Sequence, residues 1–381
     1  MPRRGENIYK RKDGRWEGRY IKGHSCGKTK YGYVYARTYS EVKQKLSGLK
    51  TGMLLPIKDE KSIELQQDSP TFEKISSEWL DSIRPQIKKS SYIKYTNSVK
   101  AYLNPVFSSK AIESITRADV SALCVKLSQN GGAYNNGLSS KTITDSLSIL
   151  RSIFDYAADD KGLLVANIAG ICVKTEHSTM RVLSISEQEK LEAALREDLN
   201  ECNLGILLCL YTGIRIGELC ALTWKDISNT EQMLFINKTM QRLQQLNGGE
   251  KKTEVVITTP KSDCSIRTIP LPDSIYQVLQ QNRKGDDTFF LTGMLGKYVE
   301  PRTMENRFKR VLIKAEIEAA NFHALRHTFA TRCVELGFDI KSLSEILGHA
   351  SVNITLNRYV HPSMELKQKN MNMLSDLFAV K

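Results

Sequence analysis

Apolar residues recur along the chain at two spacings, and the change of spacing marks its organisation. Between 71 and 173 the interval is three to four residues. Phe72, Ile75, Trp79 and Ile83 keep it until Pro85, and Tyr92, Tyr95, Val99 and Leu103 keep it after a capping serine at Ser91. Val120, Leu123 and Leu127 follow Thr116-Arg-Ala-Asp119, a capping-box spacing with Asp in place of Glu or Gln, and Gly131-Gly132 closes the run. Ile143, Leu147, Leu150 and Phe154 follow Ser140. One stripe per helix predicts a four-helix bundle in which the stripes are core.

Residues 1–50 alternate instead. Tyr9, Arg11, Arg15, Trp16, Arg19 and Tyr20, then Tyr31, Tyr33 and Tyr35, interleave cations with aromatics. Lys12-Asp13-Gly14-Arg15 predicts a hairpin turn, because Asp-Gly tolerates the positive φ such turns need, and a second turn falls within 23–30. Val42 and Leu46, four apart, predict a short helix after Tyr39. Segments 51–70 and 174–181 are polar and predict linkers. Beyond 182 the pattern predicts helices at 186–195, 204–211 and 216–222, strands at 232–237, 253–258 and 265–270, and helices to the end. The expected fold is mainly α with small β elements. It comprises a three-stranded sheet with a helix (1–50), a helical bundle (71–173) and a mixed α+β domain (182–381).

Composition adds a partner to this outline. The 381 residues carry 55 Lys and Arg against 42 Asp and Glu, a net charge of +13. Fourteen of those cations and only four of the acids lie in residues 1–50, so ten of the thirteen net charges sit there. Cations concentrated on a small unit and interleaved with aromatics point to DNA more than to a merely solvated face. Candidate DNA contacts are Arg11, Lys12, Arg15, Trp16, Arg19 and Tyr20, with Lys88 and Lys89 at the start of a bundle helix. No membrane role is expected. The first residues have no apolar stretch of the secretory kind, and the longest apolar run, 204–211, is far too short to span a bilayer. The eight cysteines include no Cys-x-x-Cys pair and fall mostly in apolar stretches, which predicts buried thiols in a reducing cytoplasm.

The candidate chemistry lies in the last third. His323 and His327 are four apart in His-Ala-Leu-Arg-His, a spacing that also pairs histidines around zinc. Ala324 occupies the place of the general-base Glu, and Arg326 would set a permanent cation beside a dication, so no metal is expected. His323 and Arg326, three apart, can instead reach one anion, and a guanidinium matches phosphate in fork geometry. A helical Arg can also simply pair with a nearby acid, so one such residue decides little. Others accompany it. Arg215 stands at a glycine break in Thr-Gly-Ile-Arg-Ile-Gly-Glu-Leu, with Glu218 placed to orient it. Lys261 lies in Thr-Pro-Lys-Ser, near the tip of a hairpin expected to be completed by 267–270. His349 follows Gly348 at a helix stop, and Tyr359 ends a helix capped by Ser351.

The order Arg215, Lys261, His323-x-x-Arg326, Gly348-His349, Tyr359 resembles the tyrosine recombinases, the family of phage lambda integrase. The basic N-terminal sheet resembles the three-domain integrases of phages and conjugative transposons. One departure is Asn167-Ile168-Ala169, where relatives usually have Asn-Pro; this loosens the domain boundary and leaves the chemistry untouched. The resemblance implies that Tyr359 attacks the scissile phosphate, leaving a 3′-phosphotyrosyl link and a free 5′-hydroxyl. It implies that Arg215 and Arg326 clamp the non-bridging oxygens and that Lys261 protonates the leaving 5′-oxygen. His323 would assist the nucleophile's proton, His349 would hydrogen-bond the phosphate, and His327 would be structural. Rejoining is the reverse attack, so no cofactor is implied. The implied partners are core-type and arm-type DNA sites, three further copies of the chain in a tetramer, and a small directionality factor. An amphipathic tail at 361–381, with Leu366, Met373 and Leu377, would pack on its own domain or on a neighbour. A type IB topoisomerase shares this chemistry but needs no arm module. A non-catalytic DNA-binding regulator would not need all six residues.

Overall fold

The computed structural model describes residues 7–11, 14–25, 28–36, 38–51, 69–132, 136–174, 180–245, 252–260, 263–360, 368 and 371–372. It forms two compact units, Met1–His177 and Ser178–Lys381.

In the first unit, β1 (Ile8–Lys10), β2 (Trp16–Ser25) and β3 (Lys28–Ala36) form an antiparallel sheet in that order, followed by α1 (Tyr39–Thr51). The Arg11 N–H donates to the Arg15 carbonyl (2.8 Å) and Gly14 has φ +84°, while Lys12 and Asp13 of the first predicted turn lie outside the described residues. Pleating divides the sheet's side chains. Ile8, Trp16, Tyr20, Val34 and Ala36 pack with Tyr39, Val42 and Leu46. Tyr9, Tyr31, Tyr33 and Tyr35 are exposed, with the Arg19 guanidinium 4.3 Å from the Tyr31 ring and that of Arg11 5.6 Å from Tyr35.

The bundle contains α2 (Phe72–Ile83), α3 (Lys89–Ser98), α4 (Asn104–Phe107), α5 (Arg117–Asn130) and α6 (Ser140–Asp159). The predicted stripe residues Phe72, Ile75, Trp79, Val99, Leu103, Val120, Leu123, Leu127, Ile143, Leu147, Leu150 and Phe154 are its core. Thr116 and Asp119 cap each other's backbone, as their spacing predicts. Helix α3 begins at Lys89, ahead of Ser91, with extended Lys88 as its cap. A π turn, Val99–Leu103, joins α3 to α4, and the Asn104 N–H donates to the Val99 carbonyl five residues back. Pro105 explains it: proline has no N–H for the α pattern and its ring crowds the preceding turn. At Asn167-Ile168-Ala169, Arg117 donates to the carbonyls of Asn167 (3.3 Å) and Ala169 (2.6 Å), and the Ala169 N–H donates to Asn167 Oδ1. Side chains thus fix a turn that a proline would have fixed.

The second unit runs α7 (Ile185–Glu197), α8 (Glu201–Thr212), α9 (Ile216–Ala221), β4 (Met233–Ile236), β5 (Thr239–Gln244), β6 (Thr253–Thr258), β7 (Arg267–Pro270), α10 (Asp273–Gln281), α11 (Pro301–Lys314), α12 (His323–Glu335), α13 (Ile340–Leu347) and α14 (Val352–Tyr359). Helix α8 is buried on nearly every side and forms the centre of the core. Two expectations are corrected here. Strand β5 is additional; its buried Met240 and Leu243 are three apart, which reads as helix rather than alternation. The strands flanking Lys261 do not form one hairpin, since β6 pairs with β5 and β7 with β4. Lys261 therefore falls in the connection between two two-stranded sheets, and it lies outside the described residues. So does the tail apart from 368 and 371–372, which are helical.

Candidate active site

Two helix ends create the site. Helix α8 stops at Gly213, whose left-handed conformation (φ +64°) caps it, and a Cβ there would come within 2.5 Å of the Phe329 ring. Helix α13 stops at Gly348, also left-handed (φ +64°), with the His349 N–H returning to the Ser344 carbonyl. The carbonyls left over at such ends carry partial negative charge. Arg326 lies between them. Its Nη1 donates to the Gly213 carbonyl (2.9 Å) and its Nη2 to that of Leu347 (2.6 Å), and the residue is 2% exposed.

Arg215 reaches the same place from the start of α9. It donates through Nη2 to the Gly348 carbonyl (3.1 Å) and through Nη1 to Glu218 Oε1 (2.7 Å), while its backbone N–H donates to Glu218 Oε2. Glu218 is 3% exposed and also receives Arg267, whose Nη1 and Nη2 donate to Oε1 (3.1 Å) and Oε2 (2.9 Å). The Arg267 Nε donates to the Ile346 carbonyl at the end of α13 (2.6 Å). Burial alone would raise the Glu218 carboxyl, but Arg267 and Arg215 outweigh it and hold it below the ordinary value.

Arg215 and Arg267 thus share one buried carboxylate, whose charge also acts on Arg326. Burial, then Arg215 and Arg267, push Arg326 below the ordinary guanidinium value. A guanidinium nevertheless keeps its proton, so the unfavourable energy is a standing attraction for an anion. Phosphate, with several acceptor oxygens, suits it.

The remaining residues surround this cationic floor. His349 Nδ1 is 2.8 Å from the buried Thr355 hydroxyl, and its ring lies nearly parallel to that of Tyr359 with centroids 6.3 Å apart. Burial, then Arg326 and Arg215, push His349 down to about 3, so it is a neutral hydrogen-bonding group at ordinary pH. Tyr359 ends α14, which Ser351 caps as its position predicts. It packs against Ala330, Cys333, Leu343 and Leu347 and is 6% exposed. Burial raises its phenol above the ordinary value while Arg326 and Arg358 oppose the rise, so it stands protonated.

The two histidines of the motif do not converge on one point. Their rings meet edge to face, centroids 4.7 Å apart. His323 is exposed at the start of α12, whereas His327 is buried and its Nδ1 lies 2.9 Å from the Tyr359 hydroxyl. His327 is buried, as a structural residue would be, and it also touches the tyrosine. Among the described residues no group of three His, Cys, Asp or Glu side chains could hold a metal ion.

Arg215, His323, Arg326, His349 and Tyr359 are therefore grouped in one site. Arg267 was missed as a member; the available signal was its place two residues before Ile269, on the inward face of β7. Of the candidate DNA contacts, Arg11 and Arg15 are exposed and Arg19 is half-buried. Trp16 and Tyr20 face α1 instead of the open side of the sheet, and the exposed aromatics there are Tyr9, Tyr31, Tyr33 and Tyr35. Lys88 and Lys89 are exposed at the start of α3, and Lys12 lies outside the described residues.

Residues 175–365 match the phage integrase family model, and residues 71–128 match the SAM-like N-terminal domain of phage integrases. A XerC-like tyrosine recombinase of Caldanaerobacter subterraneus subsp. tengcongensis is 26% identical, over 95% of this chain and 94% of its own. The transposase of transposon Tn916 from Enterococcus faecalis is 24% identical over 77% of this chain and 74% of its own. Among solved structures, the Tn1549 transposon integrase in complex with transposon right-end DNA superposes with a TM-score of 0.65 at 24% identity, covering 80% of this chain and all of that one. A lambda integrase tetramer bound to a Holliday junction gives 0.55 at 17% identity, over 91% and 96%.

Proposed function

Because the chain belongs to the phage integrase family, we propose that its cationic pocket receives the scissile phosphate of a recombination site and that Tyr359 attacks it. The protein is a tyrosine recombinase of the phage and transposon integrase type, an enzyme that breaks and rejoins DNA. The observation that carries the residue assignment is the Tyr359 hydroxyl lying in one buried site with Arg326, whose guanidinium already bridges two helix C-termini.

In this reading the Tyr359 oxygen bonds to phosphorus, and Arg215 and Arg326 stabilise the charge gathering on the non-bridging oxygens. His349 hydrogen-bonds the same phosphate. The 5′-oxygen leaves with a proton from Lys261, and the 3′ end stays on Tyr359. Attack by a 5′-hydroxyl on that link restores the DNA, so the bond energy is retained and neither ATP nor a metal ion enters the step. The Lys261 role has a specific test. Lys261→Ala should lower cleavage by roughly 100-fold or more, and replacing the 5′-bridging oxygen by sulfur, a leaving group that needs no proton, should restore most of it. If the sulfur substrate is cut no faster by the variant, Lys261 is not the acid.

The proposed organisation is an arm-binding module at 1–50, a linker at 51–70, a core-binding bundle at 71–173, a second linker at 174–181 and a catalytic domain at 182–381 with its tail helix. Four copies would act on two double-stranded sites through a Holliday junction, with a small factor setting direction. The open tyrosine face of the N-terminal sheet, flanked by Arg11 and Arg19, supports a second DNA-reading surface. Neither relaxation of supercoils nor plain regulation calls for such a surface alongside an assembled pocket. Removing residues 1–70 should therefore leave core-site cleavage intact. Binding to the separate arm sequence should be lost, with a shallower dependence of affinity on salt, since fewer phosphates are neutralised. Unchanged arm binding in the truncated protein would assign that surface another role.

A further inference from the structure

We infer that His327 is a further catalytic residue: its Nδ1 holds the Tyr359 hydroxyl and accepts that proton as the tyrosine oxygen attacks phosphorus. The inference rests on Tyr359 being the nucleophile. Its ground is geometric. The Tyr359 hydroxyl lies 2.9 Å from His327 Nδ1, across 32 residues of sequence, both residues are buried, and the other side chain at that oxygen, Arg326, can only donate. His323, the position that resemblance would make the proton acceptor, meets the His327 ring edge to face at the exposed start of α12.

The step balances with the groups present. The Tyr359 O–H bond breaks and its proton passes to Nδ1 of a His327 that carries hydrogen on Nε2. The oxygen–phosphorus bond forms, the phosphorus–5′-oxygen bond breaks, and the leaving oxygen takes a separate proton from the acid. Rejoining returns the His327 proton to Tyr359.

The charges facing His327 decide whether it can do this. Arg326 and His323 lie on its own helix, α12, while Arg358 and Tyr359 belong to α14, and the His349 ring stacks on that of Tyr359. Burial, then Arg358 and Arg326, push His327 down to about 4, so its acceptor nitrogen is unprotonated at neutral pH. A weak base is adequate here for two reasons. A phosphodiester held by Arg326 offsets one of the charges that depress it. The phenol oxygen also loses its affinity for the proton as its bond to phosphorus forms, so the transfer becomes favourable during the attack.

The test uses the full chain on a nicked core-site substrate that traps the covalent complex. His327→Asn keeps a hydrogen-bonding group near Nδ1 but accepts no proton; His327→Ala removes both. Each should bind the core site as the parent does and form adduct roughly 100-fold more slowly at neutral pH. Parent cleavage should be level between pH 6 and 9, because His327 is already neutral, whereas the Asn variant should speed up with pH as phenolate becomes available. Placing 3,5-difluorotyrosine at 359, a more acidic phenol, should restore the Asn variant and change the parent little. Parent-like rates and a level pH profile in the Asn variant would overturn the inference, as would a faster Ala variant, which would make His327 a restraint. Adduct formed by Tyr359→Phe would instead show that the nucleophile itself is misassigned. If the Ala variant melts early, the Asn variant and its fluorotyrosine rescue still decide.

Discussion

Tyr359→Phe is expected to bind its DNA site with parental affinity and to form no covalent complex at all. The substitution removes one oxygen from a side chain whose ring remains packed against Ala330, Leu343 and Leu347. The guanidinium groups that receive phosphate are anchored on Glu218 and on helix-end carbonyls, and the phenol is only one further contact of Arg326. Binding and cleavage therefore separate at this residue. The stability change should be small, of the order of 1 kcal/mol for the lost hydrogen bond to His327. The measurement is a denaturing gel of protein incubated with a nicked site, alongside a binding titration. A shifted protein–DNA band from the Phe variant would identify a different nucleophile, and a tenfold loss of binding would mean that the hydroxyl holds the ground-state phosphate.

What the sequence made legible was what neighbours in sequence decide. The Thr116–Asp119 capping box, the Ser351 cap and the glycine stops at 213 and 348 are local backbone chemistry, and each element ends where that chemistry says. Helical stripes are also local, so the bundle core could be named residue by residue. Strand partners are not local. Nothing in Thr253–Thr258 says that it pairs back with Thr239–Gln244 in preference to going on to Arg267–Pro270, and the expected hairpin around Lys261 was lost for that reason. The site divides in the same way. Arg215, Arg326, His349 and Tyr359 were visible through the order of their motifs. The roles of Arg267 and His327 are set by contacts across 49 and 32 residues, which no spacing rule reaches.

Glu218 carries the second large effect. Replacing it by Ala should destabilise the Ser178–Lys381 unit by ~3–5 kcal/mol, because it strands a buried Arg267 and leaves Arg215 and Arg326 without their shared counter-charge. For a unit of this size that corresponds to a melting point lower by roughly 10 °C or more. Glu218→Gln separates shape from charge: it can still accept one hydrogen bond but no longer balances two cations, so it should fall between the parent and Ala. Cleavage should drop in both, since Arg215 loses the carboxylate that aims it. The pH dependence has a definite sign. The folded carboxyl lies below its ordinary value of 4.5, so its stabilising contribution is fully present above that pH. The contribution is lost only as pH falls through the lower, folded value. The parent should consequently keep its melting point between pH 7 and 5 and lose stability below about 4.5, and this part of the acid loss should be missing from the Gln variant. Thermal melts of the three proteins at pH 7, 5 and 3.5 make the comparison. A Gln variant that melts with the parent at pH 7 and cleaves at the parental rate would mean that the three guanidinium groups are balanced elsewhere, and that the attraction for phosphate does not arise from this pocket.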